Sequence, residues 1–155
     1  MKTWTKWTTA VLVIAGAAAI GYAEMGSTGW EVGELRENGL RIVPSGRSDA
    51  GAVLEPGQFP DRSVRAAYRI ATRIPETLNR LYCWCGCENR GVHRSNLGCF
   101  EDLMAVNCDV CRGTAEIAHR MIREKGITDP GRLQLAVDRV WAPEGAELWN
   151  PDGGA

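Results

Sequence analysis

Six cysteines fall within 29 residues of a 155-residue chain: Cys83, Cys85, Cys87, Cys99, Cys108 and Cys111. The first three alternate along Cys-Trp-Cys-Gly-Cys, and the last two bracket Asp109-Val110. In an extended segment, residues two apart share a face at about 6.6 Å, so the triplet can present three sulfurs on one side, with Gly86 letting the backbone bend around an ion. On a helix, residues three apart face the same way, which pairs Cys108 with Cys111. Cys99 falls on the apolar side of the helix expected before them. A loop and two helix ends can therefore converge on a sulfur-rich pocket, and a Cys-x-x-Cys pair at a helix start gains from the helix dipole, which favours thiolates. Clustered thiolates select Cu(I), Zn(II) or iron–sulfur clusters. Zinc generally takes four ligands in two separated pairs. A triplet, a single and a pair suit thiolates shared around more than one Cu(I), so copper is expected ahead of zinc. His93, in the same loop as Cys87, is an outer candidate ligand.

Two other chemistries remain open on the same residues. An even number of cysteines in a small domain reads equally as a framework of three disulfides. Rings between such close neighbours are strained, so Cys83, Cys85 and Cys87 would each need a partner among Cys99, Cys108 and Cys111. A catalytic dithiol at Cys108 and Cys111 is the third reading, without the βαβ pattern that usually surrounds one. His119 reads as a surface or packing histidine, Met104 as core filler or a thioether ligand, and Trp84 as a shield over the sulfurs or an exposed loop aromatic. No Ser/His/Asp arrangement, phosphate-cradling loop or catalytic carboxylate pair stands out, so no enzyme is expected.

Charge is nearly balanced, with 18 basic and 19 acidic residues, and the arginines are interleaved with acids. That excludes a nucleic-acid footprint. Lys2 and Lys6 precede an apolar run over 8–23, and Gly21-Tyr22-Ala23 offers a small-x-small cleavage site, the pattern of a secretory signal. The run is 16 residues, about 24 Å as a helix and short of the roughly 20 residues that span a bilayer. An uncleaved anchor, with Trp4 and Trp7 at one interface, is the alternative. Either places the cysteines in the periplasm or elsewhere outside the cytoplasm, secreted or tethered.

The elements that must position the sulfurs are helical. Residues 24–60, rich in Gly, Pro, Ser and charge, read as a linker or arm, with Trp30, Leu35, Leu40, Ile42 and Val43 able to fold back onto the domain or meet a partner. Asp61 or Ser63 can cap a helix carrying Val64, Ala67, Tyr68, Ala71 and Ile74 at helical spacing. Pro75 restarts a short helix to Leu81. Residues 83–94 read as a tight loop, and Ser95 as the cap of a helix to about 105. Asn107 or Asp109 starts the next helix, which Gly126 stops after Lys125. Asp129-Pro130 opens a last one with the stripe Leu133, Ala136, Val137 and Val140. From 142 to 155 the chain is a tail that Trp141 or Trp149 could pin. The expected fold is all-α: about four helices over 61–141 around an irregular Cys-rich loop. A core that thin commonly needs disulfides or a metal.

At Arg73-Ile74-Pro75-Glu76, Leu81-Tyr82-Cys83-Trp84-Cys85-Gly86-Cys87, His93-Arg94-Ser95, Cys99-Phe100 and Asn107-Cys108-Asp109-Val110-Cys111, the chain resembles a bacterial family named for a Pro-Cys-Tyr-Cys-Gly-Cys motif. The resemblance spans 67–140. It implies an exported protein, often a lipoprotein, that binds a metal and copper in particular. Tyr82 replaces the motif's Pro, Trp84 its Tyr, and Met104 stands where family members often carry His. No cysteine lies at the cleavage site to take a lipid. The expectation is an extracytoplasmic Cu(I)-thiolate protein that stores, buffers or transfers the ion. The alternative is a disulfide-stapled accessory domain meeting a membrane or periplasmic protein partner.

Overall fold

The computed structural model describes residues 31–43, 49–87 and 93–152. The expected signal or anchor over 1–23, Trp30 and part of the arm lie outside the described residues. The helices form where their caps are. Asp61 Oδ1 accepts the N–H groups of Ser63 and Val64 at 2.7 and 3.1 Å and starts α1, Arg62–Arg73. Its buried face is Val64, Ala67, Tyr68 and Ala71, the three- and four-residue spacing of one helix side. Ile74 leaves helical geometry ahead of Pro75, as a residue preceding proline tends to, and Pro75 opens the single turn α2, Pro75–Leu78. The helix α3, Asp109–Lys125, ends at Gly126 with φ at +65°, where Gly126 and Ile127 donate back to Ile122 and Met121. Asp129 caps α4, Pro130–Trp141, through the Arg132 N–H.

The central helix α3 packs against both α1 and α4. Between them lie Tyr68, Leu78, Leu81, Leu97, Phe100 and Leu133, all without solvent exposure, each side chain contributing roughly 1.5–3 kcal/mol by its burial. Tyr68 sits between two rings, Phe59 at 4.2 Å and Phe100 edge-on at 5.1 Å between centroids. Among the described residues no helix is long and apolar enough to cross a membrane, and strand-type pairing is limited to an isolated antiparallel bridge, Leu35 to Arg41.

One segment differs from expectation. The helix expected over 95–105 is instead two 3-10 turns, Leu97–Phe100 and Met104–Val106. Its carbonyls are taken by distant partners: Phe100 O accepts the Leu54 N–H and Asp102 O accepts the Tyr68 hydroxyl. Ser95 does not cap it, since its hydroxyl meets Asn79 Oδ1. Of the two readings of the arm, fold-back or partner contact, its described parts take the first and fold onto the helices. Val53 and Phe59 join the core, and the turn around the Leu35–Arg41 bridge buries Arg41 and Ile42. The tail is held too: Arg41 Nη2 donates to Glu147 O, and Trp149 packs on Gly39 and Gly131.

Candidate metal centre

Three short segments bring four sulfurs together. Cys83 and Cys85 lie on the loop after α2, Cys99 in the turn Leu97–Phe100, and Cys111 in the first turn of α3. One Sγ from each lies within 4.8 Å of all the others, and Cys83 and Cys111 approach to 3.9 Å. An ion bound tetrahedrally at about 2.3 Å from each sulfur requires S···S separations of about 3.8 Å, so the quartet fits one such ion with small adjustments. Cys83, Cys99 and Cys111 have no solvent exposure, while Cys85 is partly exposed and forms the open corner.

The loop that carries Cys83 and Cys85 is tied down on both flanks of Cys83. The Tyr82 N–H donates to Gln134 Oε1 at 2.8 Å, and the Trp84 indole N–H donates to Asp138 Oδ1 at 2.8 Å, both partners being on α4. Opposite, Asn96 gives its N–H to Leu81 O and its side-chain amide to Cys111 O at 3.0 Å, linking the three sulfur-bearing segments. Gly86 has φ at +74°, a conformation that strains any other residue. Trp84 and Cys85 before it already form a turn, so the triplet does not alternate along a single face.

The other expected ligands stand outside the quartet. Cys87 is buried and adjoins it at Cys85, toward which its thiol also points. Helical spacing makes Cys108 face the same way as Cys111, but the residue is the N-cap of α3, in extended geometry. Its sulfur accepts the Cys111 N–H at 3.4 Å. His93 is buried with Nε2 2.9 Å from Asp102 Oδ2, an outer-loop contact rather than a sulfur-facing one. Met104 packs against the core, and His119 lies on α3, where burial and the charges of Arg123 and Arg73 lower its pKa.

Crowding shifts three of the thiols in opposite directions. Hydrogen bonds from Cys111, then Cys83 and Cys99, hold Cys85 far below the ordinary thiol range. Cys99 is pushed far up, first by Cys111 and Cys83, and Cys111 is pushed up by Cys83 and Cys85. Of these three thiols, Cys85 at the open corner is the one whose surroundings favour the thiolate, and Cys99 and Cys111 are the ones held toward the protonated form. A soft cation replacing those protons relieves the mutual repulsion of further thiolates.

Arg41, Asn96, Gln134 and Asp138 support the site, and sequence reasoning missed them. Gln134 and Asp138 carry one signal: they are polar residues four apart, next to Leu133 and Val137 on the apolar stripe. Arg41 and Asn96 carry none. The cysteine cluster can hold a metal ion; no protein-family model matches the chain, and no curated protein or solved structure matches it either.

Proposed function

We propose that this chain is an exported soft-metal protein that holds one ion between Cys83, Cys85, Cys99 and Cys111 and stores, buffers or hands it over. The observation that carries the reading is the mutual approach of four sulfurs within 4.8 Å in a nearly closed pocket. Export is supported by Lys2 and Lys6 ahead of the apolar run over 8–23, and copper by the resemblance to the Pro-Cys-Tyr-Cys-Gly-Cys family. Six shared sulfurs would favour several Cu(I) ions. Four converging sulfurs suit a single ion, Cu(I) or Zn(II), and Zn(II) leaves less negative charge in the buried pocket. Hand-over is favoured by Cys85: it alone among the four is reachable, so an acceptor thiol can begin ligand exchange there.

Metal analysis with thiol titration of the native full-length protein tests this. The expected result is one ion per chain, four thiols shielded while it is bound, and six reactive thiols after chelation under denaturing conditions. Competition between a Cu(I)-selective and a Zn(II)-selective chelator distinguishes the two ions. Metal-free protein with no titratable thiols would overturn the reading in favour of a disulfide-stapled accessory domain. The 3.9 Å approach of Cys83 and Cys111 makes them the first pair to examine in that case.

A further inference from the structure

An ion pair lies buried beside the metal-site loop, and it is costly. The Asp138 side chain has no exposure and that of Arg41 has 4%. Arg41 Nε donates to Asp138 Oδ2 at 2.9 Å, while Oδ1 accepts both the Trp84 indole at 2.8 Å and the Gln134 amide at 2.7 Å. Arg41 also lies over the Trp84 ring, 4.7 Å from its centroid, and Tyr82 meets that ring edge-on at 5.0 Å. Replacing a buried pair of this kind with well-packed apolar residues is often neutral or stabilising. Stability alone therefore does not explain a carboxylate here. What it does touch is specific: through Trp84 it grips the residue between two candidate ligands, and through Gln134 it fixes the amide just before Cys83.

The geometry points to Asp138 as a positioning residue of the metal centre, acting through Trp84 to hold Cys83 and Cys85 in the geometry the ion requires. This rests on the four-thiolate reading above. Without the Trp84–Asp138 bond, the loop carrying the open corner can swing, and Cys85 is the ligand that departs first. Groups that orient metal ligands from behind typically contribute 10- to 100-fold in affinity, and here the loss falls on release of the ion.

The test uses the full chain loaded with Zn(II), with release followed in excess chelator. Trp84→Phe removes the indole donor and keeps a ring for Tyr82 and Arg41. Asp138→Asn keeps the shape and removes the charge. Val137→Ala weakens the same helix by a cavity and leaves the network untouched, so it measures what destabilisation alone does to release. Trp84→Phe is expected to release Zn(II) roughly 10- to 100-fold faster than the wild type. With Cd(II) in place of zinc, it should show a weaker sulfur-to-metal charge-transfer band, as one thiolate is lost. Release from Trp84→Phe no faster than from Val137→Ala, with an unchanged Cd(II) band, overturns the inference, whether or not Asp138→Asn folds. A wild-type chain that takes up no ion overturns the four-thiolate reading itself, and the positioning role with it.

Discussion

Cys108 and Cys111 are three residues apart in sequence and do different work. Cys111 faces the sulfur pocket, and Cys108 satisfies the open end of α3 with its own sulfur. Serine is among the best residues at a helix N-cap, so Cys108→Ser should keep its full ion content and its thermal stability. Cys99→Ser and Cys111→Ser, each removing a sulfur from the quartet, should lose stoichiometric metal; metal content of the purified variants checks both. The same pocket sets the pH dependence. Cys99 and Cys111 hold their protons above the ordinary thiol range, and both must give them up to become ligands. Ion affinity should therefore fall as pH falls, by about 100-fold per unit if two protons leave on binding. Zn(II) competition titrations between about pH 6 and 8 would show this, and a slope of one proton or fewer would contradict it. The cluster of cysteines was legible in the sequence because thiols so closely bunched have few uses. Which four meet was not, because that depends on the φ of Gly86 and on Cys108 being extended rather than helical, and spacing rules assume regular backbone.

At the scale of elements, the helices α1, α3 and α4 were legible because each has local signals: a side-chain cap at Asp61 or Asp129, a left-handed stop at Gly126, and an apolar period between. The turns over 97–106 were not, since the groups that capture their carbonyls, Leu54 and Tyr68, are remote in the chain. The face of α4 was half right. Leu133 and Val137 are buried as expected, but Gln134 and Asp138 are buried beside them and Val140 is largely exposed. Periodicity scores polar residues as outward, and it cannot register a partner such as Arg41, 97 positions away. Gly131 shows the same limit. In an ordinary helix, alanine would be preferred by about 1 kcal/mol. Here a Cβ would meet Asn38 O at 2.1 Å and the Trp149 ring at 3.1 Å, so the arm can reach α4 only over a glycine. Gly131→Ala is expected to lift the 31–43 turn and the tail from α4 while leaving α1 and α3 folded. Faster amide exchange in 31–43 and 143–152 and unchanged exchange in 64–71 would be its signature.

For the whole molecule, arm, cysteine loop, last helix and tail close on one point. Arg41 donates to Gly33 O, Asp138 Oδ2 and Glu147 O, so a single guanidinium ties both ends of the described chain to the helix that hydrogen-bonds the cysteine loop. Removing it leaves the Asp138 carboxylate buried without its cation, a loss of about 3–5 kcal/mol. Small domains commonly have only about 5–15 kcal/mol in total, so Arg41→Ala should retain little stability of its own. An ion that binds the folded chain and not the unfolded one adds stability in proportion to the logarithm of its concentration over Kd. The consequence is a dependence the wild type lacks. Loaded with Zn(II), Arg41→Ala should remain folded at about 25 °C, near which these magnitudes apply; stripped by chelator, it should lose helical circular dichroism that the stripped wild type retains. If chelation instead lowers the midpoints of wild type and Arg41→Ala by equal amounts and leaves both folded, the pair contributes far less than a buried charge requires, and the arm is held by Ile42, Trp149 and backbone pairing alone.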